Sequence, residues 1–115
     1  MRFDEFDEKM QSLTDHQLKI IQTIHNAGSQ WLTRSKLARA LGKRRLTPYD
    51  ITCLTTLSEQ EIIETSTQPT TAPGSDFAYI YHMSDEIANI LQRWSEQRDS
   101  DPPAQERNPI NLTDD

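Results

Sequence analysis

Half of the chain's 12 Lys and Arg residues fall between Arg34 and Arg45, as Arg34, Lys36, Arg39, Lys43, Arg44 and Arg45, with no acid among them. Cations crowded this closely favour a polyanion, because each phosphate they neutralise releases condensed counterions. The charge is local: from Gly28 to Ser58 only Asp50 is acidic, although the whole chain carries a formal charge of -6. The acids gather in Asp4, Glu5, Asp7 and Glu8, in Glu59, Glu61 and Glu64, and in the C-terminal tail. An acidic total excludes a protein that coats nucleic acid by charge alone, since such proteins are usually strongly basic. Arg34 and Lys36 also occupy the first turn of a predicted helix, where the helix dipole disfavours cations by about 0.3 to 1 kcal/mol each. Helix stability alone would not place them there, which favours contact with a ligand over a merely solvated face.

Catalytic chemistry finds little footing. His16, His25 and His82 are far apart in the sequence and lack a Cys or acid at ligand spacing, so no metal site is expected. Cys53 is the single cysteine; it forms no intrachain disulfide, which agrees with a reducing compartment, and is expected as a small packed side chain. With three glycines in all, there is no glycine-rich phosphate loop. No catalytic residue, metal or cofactor is expected, and the chain is not expected to be an enzyme.

The elements that must hold the cations are marked by three helix starts of one design, each an apolar residue, a Thr cap and an apolar residue one turn on. Leu13-Thr14 with Leu18, and Gln17 completing a capping box, opens a helix in which Leu18, Ile21 and Ile24 recur until Asn26-Ala-Gly28 stops it. Leu32-Thr33 with Leu37 opens a second, with Leu37, Ala38, Ala40 and Leu41 inward and its end at Gly42. Leu46-Thr47 with Ile51 opens a third, with Pro48 at the first helical position and Ile51, Leu54 and Leu57 as its buried stripe. Lys43, Arg44 and Arg45 lie in the turn between the second and third.

Beyond them the pattern turns strand-like in Glu61 to Thr67 and Phe77 to Met83, a hairpin joined by the turn-rich Gln68 to Asp76. Gln30-Trp31-Leu32 is a candidate third, edge strand, and Trp31, Tyr79 and Tyr81 are expected as core or half-buried sheet residues. No Lys or Arg occurs from Leu46 to Gln92, so the hairpin brings no cation. Ser84 caps a last helix with Ile87, Ile90, Leu91 and Trp94 on one stripe. At the other end Phe3, Phe6, Met10 and Leu13 repeat as a heptad seam. Such a stripe needs a partner, expected to be the Ile87 to Trp94 stripe of the same chain or of a second copy. Phe3, Phe6, Met10, Ile87, Ile90, Leu91 and Trp94 are therefore the candidate dimerisation residues.

The chain divides into an N-terminal arm (1–12), a central domain (13–83), a C-terminal helix (84–97) and a tail (98–115) whose Pro102, Pro103 and Pro109 predict disorder. Apolar runs of two or three residues span no bilayer, and the N-terminus lacks the apolar core of a signal peptide, so a small cytoplasmic domain is expected.

The order helix, short strand, helix, turn, helix, hairpin, helix resembles a winged helix-turn-helix domain, an α+β, mainly helical fold with a three-helix core and a two- or three-stranded wing. Leu37-Ala-Arg-Ala-Leu-Gly42, Ile51-Thr-Cys-Leu-Thr-Thr-Leu57 and Ile62-Ile63 carry the likeness, which covers about Thr14 to Met83. It is most similar to small dimeric bacterial transcriptional regulators. Two departures stand out: Glu61 occupies a place where members commonly have Gly, and the turn after Gly42 is longer than usual. The resemblance implies that the third helix enters the major groove of double-stranded DNA while the helix before it crosses the backbone. Thr47, Tyr49, Asp50, Thr52 and Thr56 are then the outward-facing readers, and the six cations hold phosphate. Threonine can contact thymine methyls and aspartate can accept from cytosine N4. A cation-free wing leaves a rival expectation, an adaptor whose basic face docks an acidic protein.

Overall fold

The computed structural model describes residues 1–71, 74 and 76–100, the side chains of 98–100 excepted. Within them are α1 (Phe3–Gln11), α2 (Asp15–Asn26), β1 (Leu32–Thr33), α3 (Arg34–Ala40), α4 (Pro48–Glu59), β2 (Glu64–Pro69), β3 (Phe77–His82) and α5 (Asp85–Ser100). The strands form an antiparallel sheet of order β1-β3-β2, with Leu32 opposite Tyr81 and the hairpin in register from Glu64 opposite His82 to Pro69 opposite Phe77. This mixed α+β architecture is consistent with a winged helix. No described helix is long and apolar enough to cross a membrane. The predicted tail lies outside the described residues except at Arg98 to Ser100, where α5 continues.

The Thr caps act as their spacing predicts. Thr14 accepts from the Gln17 backbone N–H and Gln17 returns the bond; Thr33 accepts from Lys36; Thr47 accepts from Asp50, whose carboxylate returns it. Each cap satisfies donors that a helix start leaves open. Behind the caps, Ile20, Ile21, Ile24, Leu37, Ala38, Cys53, Leu54, Leu57, Ile62 and Ile63 form the core. Ala40, expected inward, is exposed, and Ile51 is only half-buried. With α3 ending at Ala40, the last inward position passes to Leu41, the C-cap residue.

Both α3 and α4 end in the same hydrogen-bonded turn. After α3, Gly42 takes a φ of 80°, its N–H donating to Arg39 and the Lys43 N–H to Ala38. After α4, Glu61 takes a φ of 66° with equivalent bonds from Glu61 to Ser58 and from Ile62 to Leu57. This is the Schellman arrangement, whose left-handed residue is usually glycine and whose apolar contact joins the residue after it to the last turn. Ile62 and Leu57 supply that contact, both fully buried. The anchor is strong enough to hold a Glu in the conformation that glycine adopts freely.

The seam of α1, formed by Phe3, Phe6 and Met10, closes on the Ile87, Ile90, Leu91 and Trp94 stripe of α5 in the same chain, one of the two partners expected for it. Phe6 is fully buried, with its ring edge-on to Trp94 at 6.4 Å between centroids. The Trp94 indole donates to Asp7 Oδ1 at 2.8 Å, and the Arg93 guanidinium covers the Phe3 ring at 5.0 Å. Met10, Ile87, Ile90 and Leu91 are buried beside them. Lys9 ties α1 to the end of α4 by donating to the Gln60 carbonyl at 2.6 Å.

Glu61 generates a prediction. A side chain in the left-handed region costs about 1 to 2 kcal/mol, so Glu61→Gly is expected to stabilise the fold by about 1 kcal/mol, raising the midpoint of thermal unfolding by about 4 to 8 °C. Calorimetry of the two proteins checks it, and an unchanged or lower midpoint refutes it.

Candidate nucleic-acid interface

The interface is built around the turn from Leu41 to Leu46. Gly42 reverses the chain after α3, buried Leu46 anchors its far end, and Thr47 and Pro48 start α4. Arg44 and Arg45 project from this turn exposed, as do Lys36 and Arg39 from α3, and none of the four is in a salt bridge among the described residues.

The other two cations are engaged inside the chain, contrary to the expectation that all six face a ligand. Lys43 Nζ donates to both carboxylate oxygens of Asp50, at 3.0 and 2.8 Å. Arg34 Nε donates to the Tyr81 hydroxyl at 2.9 Å, and its guanidinium lies 4.4 Å from the Tyr79 ring centroid. Packing on two tyrosines accounts for an Arg in the first turn of α3, where the dipole alone disfavours it.

Asp50 is the largest correction. Expected as an outward reader, its side chain has no exposed surface. It closes the α4 capping box by accepting the Thr47 N–H at 2.8 Å, and Nε2 of His16 lies 2.5 Å from its Oδ1. Burial pushes the carboxyl up, but the Lys43 ammonium, the Thr47 N–H and His16 outweigh it and hold it well below the usual carboxylate range. The signal for this role was present, a Thr-x-x-acid box at the helix start. His16 was missed because nothing local in the sequence relates it to a residue 34 positions away.

The outer row of α4 consists of Pro48, Thr52, Thr55 and Glu59, with Tyr49 beside it; all are exposed. Thr55 belongs to this row although Thr56, expected there, is half-buried. Thr47 is exposed at the helix start with its hydroxyl oxygen engaged as the cap. Tyr49 stacks on the His16 ring at 5.3 Å between centroids, which limits its sweep. The hydroxyls of Thr52 and Thr55 donate to the carbonyls of Pro48 and Ile51, both at 3.1 Å. Their protons are spent, so toward a ligand they offer methyl groups and acceptor lone pairs only. Glu59 ends the row with a negative charge that would repel phosphate, leaving the first two turns of α4 as its usable surface.

Two substitutions separate the structural lysine from the free arginines. Removing one partner of a buried ion pair costs about 3 kcal/mol or more, so Asp50→Asn and Lys43→Ala should each destabilise the fold by about that amount, at the low end because Lys43 and His16 reach water. Arg44→Ala and Arg45→Ala should stay within about 0.5 kcal/mol of the parent. The depressed Asp50 carboxyl contributes stability above the ordinary carboxylate pKa that is lost as pH falls below about 4. Asp50→Asn should therefore flatten stability against pH in that range. Urea unfolding at pH 7 and pH 3 checks both points.

No protein-family model matches the chain, and the comparison with curated proteins finds no match. Among solved structures, the chain is similar in fold to a possible transcriptional regulator from Methanosarcina mazei Go1, with a TM-score of 0.53 and 23% sequence identity. The likeness covers 83% of this chain and 81% of that one.

Proposed function

We propose that the chain is a winged-helix transcriptional regulator that binds double-stranded DNA, with α4 in the major groove and the preceding helix and turn on the phosphates. The observation that carries this reading is the adjacency of four exposed, unpaired cations to the exposed first two turns of α4. Similarity in fold to a possible transcriptional regulator supports it. In this arrangement Lys36, Arg39, Arg44 and Arg45 hold phosphate, while Tyr49, Thr52 and Thr55 meet base edges. Acceptor-only threonines with outward methyls suit thymine methyls and the amino groups of adenine and cytosine. Asp50 and Lys43 have no part in reading; they hold the start of α4 in place.

Fluorescence anisotropy with random and genomic duplexes at several salt concentrations tests the reading. Four phosphate contacts predict a slope of log K on log[salt] of about -3.6, and the Arg44→Ala, Arg45→Ala double variant about -1.8. Absence of binding at low salt overturns the proposal, and a slope near -5.4 would return Arg34 and Lys43 to the phosphates. A second reading, a protein-docking adaptor, draws on the lack of any Lys or Arg in β2 and β3. Retention of an acidic protein but not of duplex, dependent on Arg44 and Arg45, would favour it.

The proposal includes a homodimer, since four cations on an acidic chain give a weak hold that a second half-site would double. With the α1 and α5 seam closed, the surface left for it is a groove of about 420 Å³ between α2 and the far half of α5, lined by Leu18, Ile21, Leu91 and Trp94. Light scattering should show a dimer that Leu18→Glu dissociates; a monomer mass at all concentrations removes the dimer.

A further inference from the structure

The wing carries no Lys or Arg, yet it is not featureless. β3 places Phe77, Tyr79 and Tyr81 on one face of the sheet, and the burial of that row falls off toward the hairpin tip. Tyr81 is buried, whereas Tyr79 is 39% and Phe77 48% exposed. The two outer rings meet edge to face at 5.3 Å and 85°. Arg34 is laid against Tyr79 and pinned by the Tyr81 hydroxyl, so the rings and the guanidinium form one rigid step between α3 and the wing. Only the Nε of Arg34 is used in a hydrogen bond among the described residues, and its two terminal nitrogens remain available as donors. The cleft in front of the step has a volume of about 540 Å³ and is lined by Thr33, Arg34, Ser35, Asp76, Phe77 and Tyr79.

We infer that this step is a binding site for an unstacked nucleobase, supplied by a single-stranded or frayed segment next to the duplex on which α4 docks. The inference rests on the DNA-binding reading above and deepens it. Phe77 and Tyr79 stand perpendicular and Arg34 lies over the Tyr79 ring, so the pair offers one base a single open ring face with the second ring as a wall beside it, and every base has a face that can stack there. The surrounding groups match the rest of a nucleotide. Arg34 presents donors for a phosphate or a base carbonyl, the exposed Lys36 stands on the same end of α3, and Asp76 supplies an acceptor for a base amino or imino group. The interior of an intact duplex offers the rings little, because its paired bases are stacked on both faces. The wing therefore adds to binding where bases are free, and by stacking rather than by charge.

The full-length chain is titrated into three labelled DNAs: a blunt duplex, the same duplex with an unpaired segment carrying 2-aminopurine, and the unpaired strand alone. The duplex with the unpaired segment is expected to bind about 5- to 150-fold more tightly than the blunt duplex, the range that stacking of one base on an aromatic side chain supplies. Binding is expected to quench the 2-aminopurine. Phe77→Ala with Tyr79→Ala should abolish both the preference and the quenching while leaving blunt-duplex affinity unchanged. Tyr79→Phe, which keeps the ring, should retain them. Circular dichroism confirms that the variants fold. Blunt-duplex affinity reports the regulator reading and the preference reports the stacking site, so either can fail alone. Two results overturn the inference: no preference for the unpaired segment, or a preference that survives loss of both rings. Self-association lost in the double alanine variant with DNA binding intact also overturns it, and assigns the rings to a protein contact.

Discussion

A single buried carboxylate organises the interface. Asp50 has no exposed surface, and a charge so placed persists only if the surrounding groups replace the water it has lost. Those groups come from three places: His16 from α2, Lys43 from the turn, and the Thr47 backbone from the start of α4. The bonds therefore clamp the first turn of α4 against α2 and fix the path of the basic turn between them. Arg44 and Arg45 immediately follow the clamped lysine, so their direction of departure from the surface is set by it. One ionic contact decides both where the outer row of α4 points and where the free cations stand.

The same economy divides the six cations into roles. A charged side chain binds an external anion only if no internal partner already holds it. Lys43 faces a carboxylate and Arg34 faces two tyrosines, while Lys36, Arg39, Arg44 and Arg45 face solvent. The charge available to an external anion is correspondingly smaller than the composition of the turn implies. Arg34 works instead as a brace between α3 and the β2–β3 hairpin, which ties the hairpin to the helical core. Two left-handed residues, Gly42 and Glu61, perform the remaining positioning by ending α3 and α4 in equivalent turns. The first delivers the basic turn and the second delivers Ile62 and Ile63 to the core before β2 begins.

Much of the fold was legible along the chain. Thr14, Thr33 and Thr47 announce helix starts because capping joins residues three apart, and the heptad seam of α1 and the stripe of α5 announce apolar faces that must be covered. The hairpin follows from strand-like runs between turn residues, although β2 runs from Glu64 to Pro69 instead of from Glu61 to Thr67, because Glu61 ends α4 and Ile62 and Ile63 enter the core, and β1 is Leu32–Thr33 instead of Gln30 to Leu32. The site was legible only in part. That Lys43, Arg44 and Arg45 lie in the turn before α4 and that α4 begins at Pro48 could be read from spacing. That Asp50 turns inward, that Lys43 rather than its two arginine neighbours is held inside the chain, and that Thr56 is half-buried and Thr55 exposed could not.

Range is the physical reason. Caps, turns and apolar periodicity are settled by groups within about a helical turn of each other, so the order of residues alone determined where the elements begin, where they end and which side of each is apolar. His16, the distant partner of Asp50, and the partners of Arg34 and Trp94 lie far away in the chain and meet them only after the helices pack. Which cations are spent, which aromatic rings stay exposed and which surface remains for a partner were decided by that packing, because a charge or a ring is available only where the fold has given it nothing else to touch.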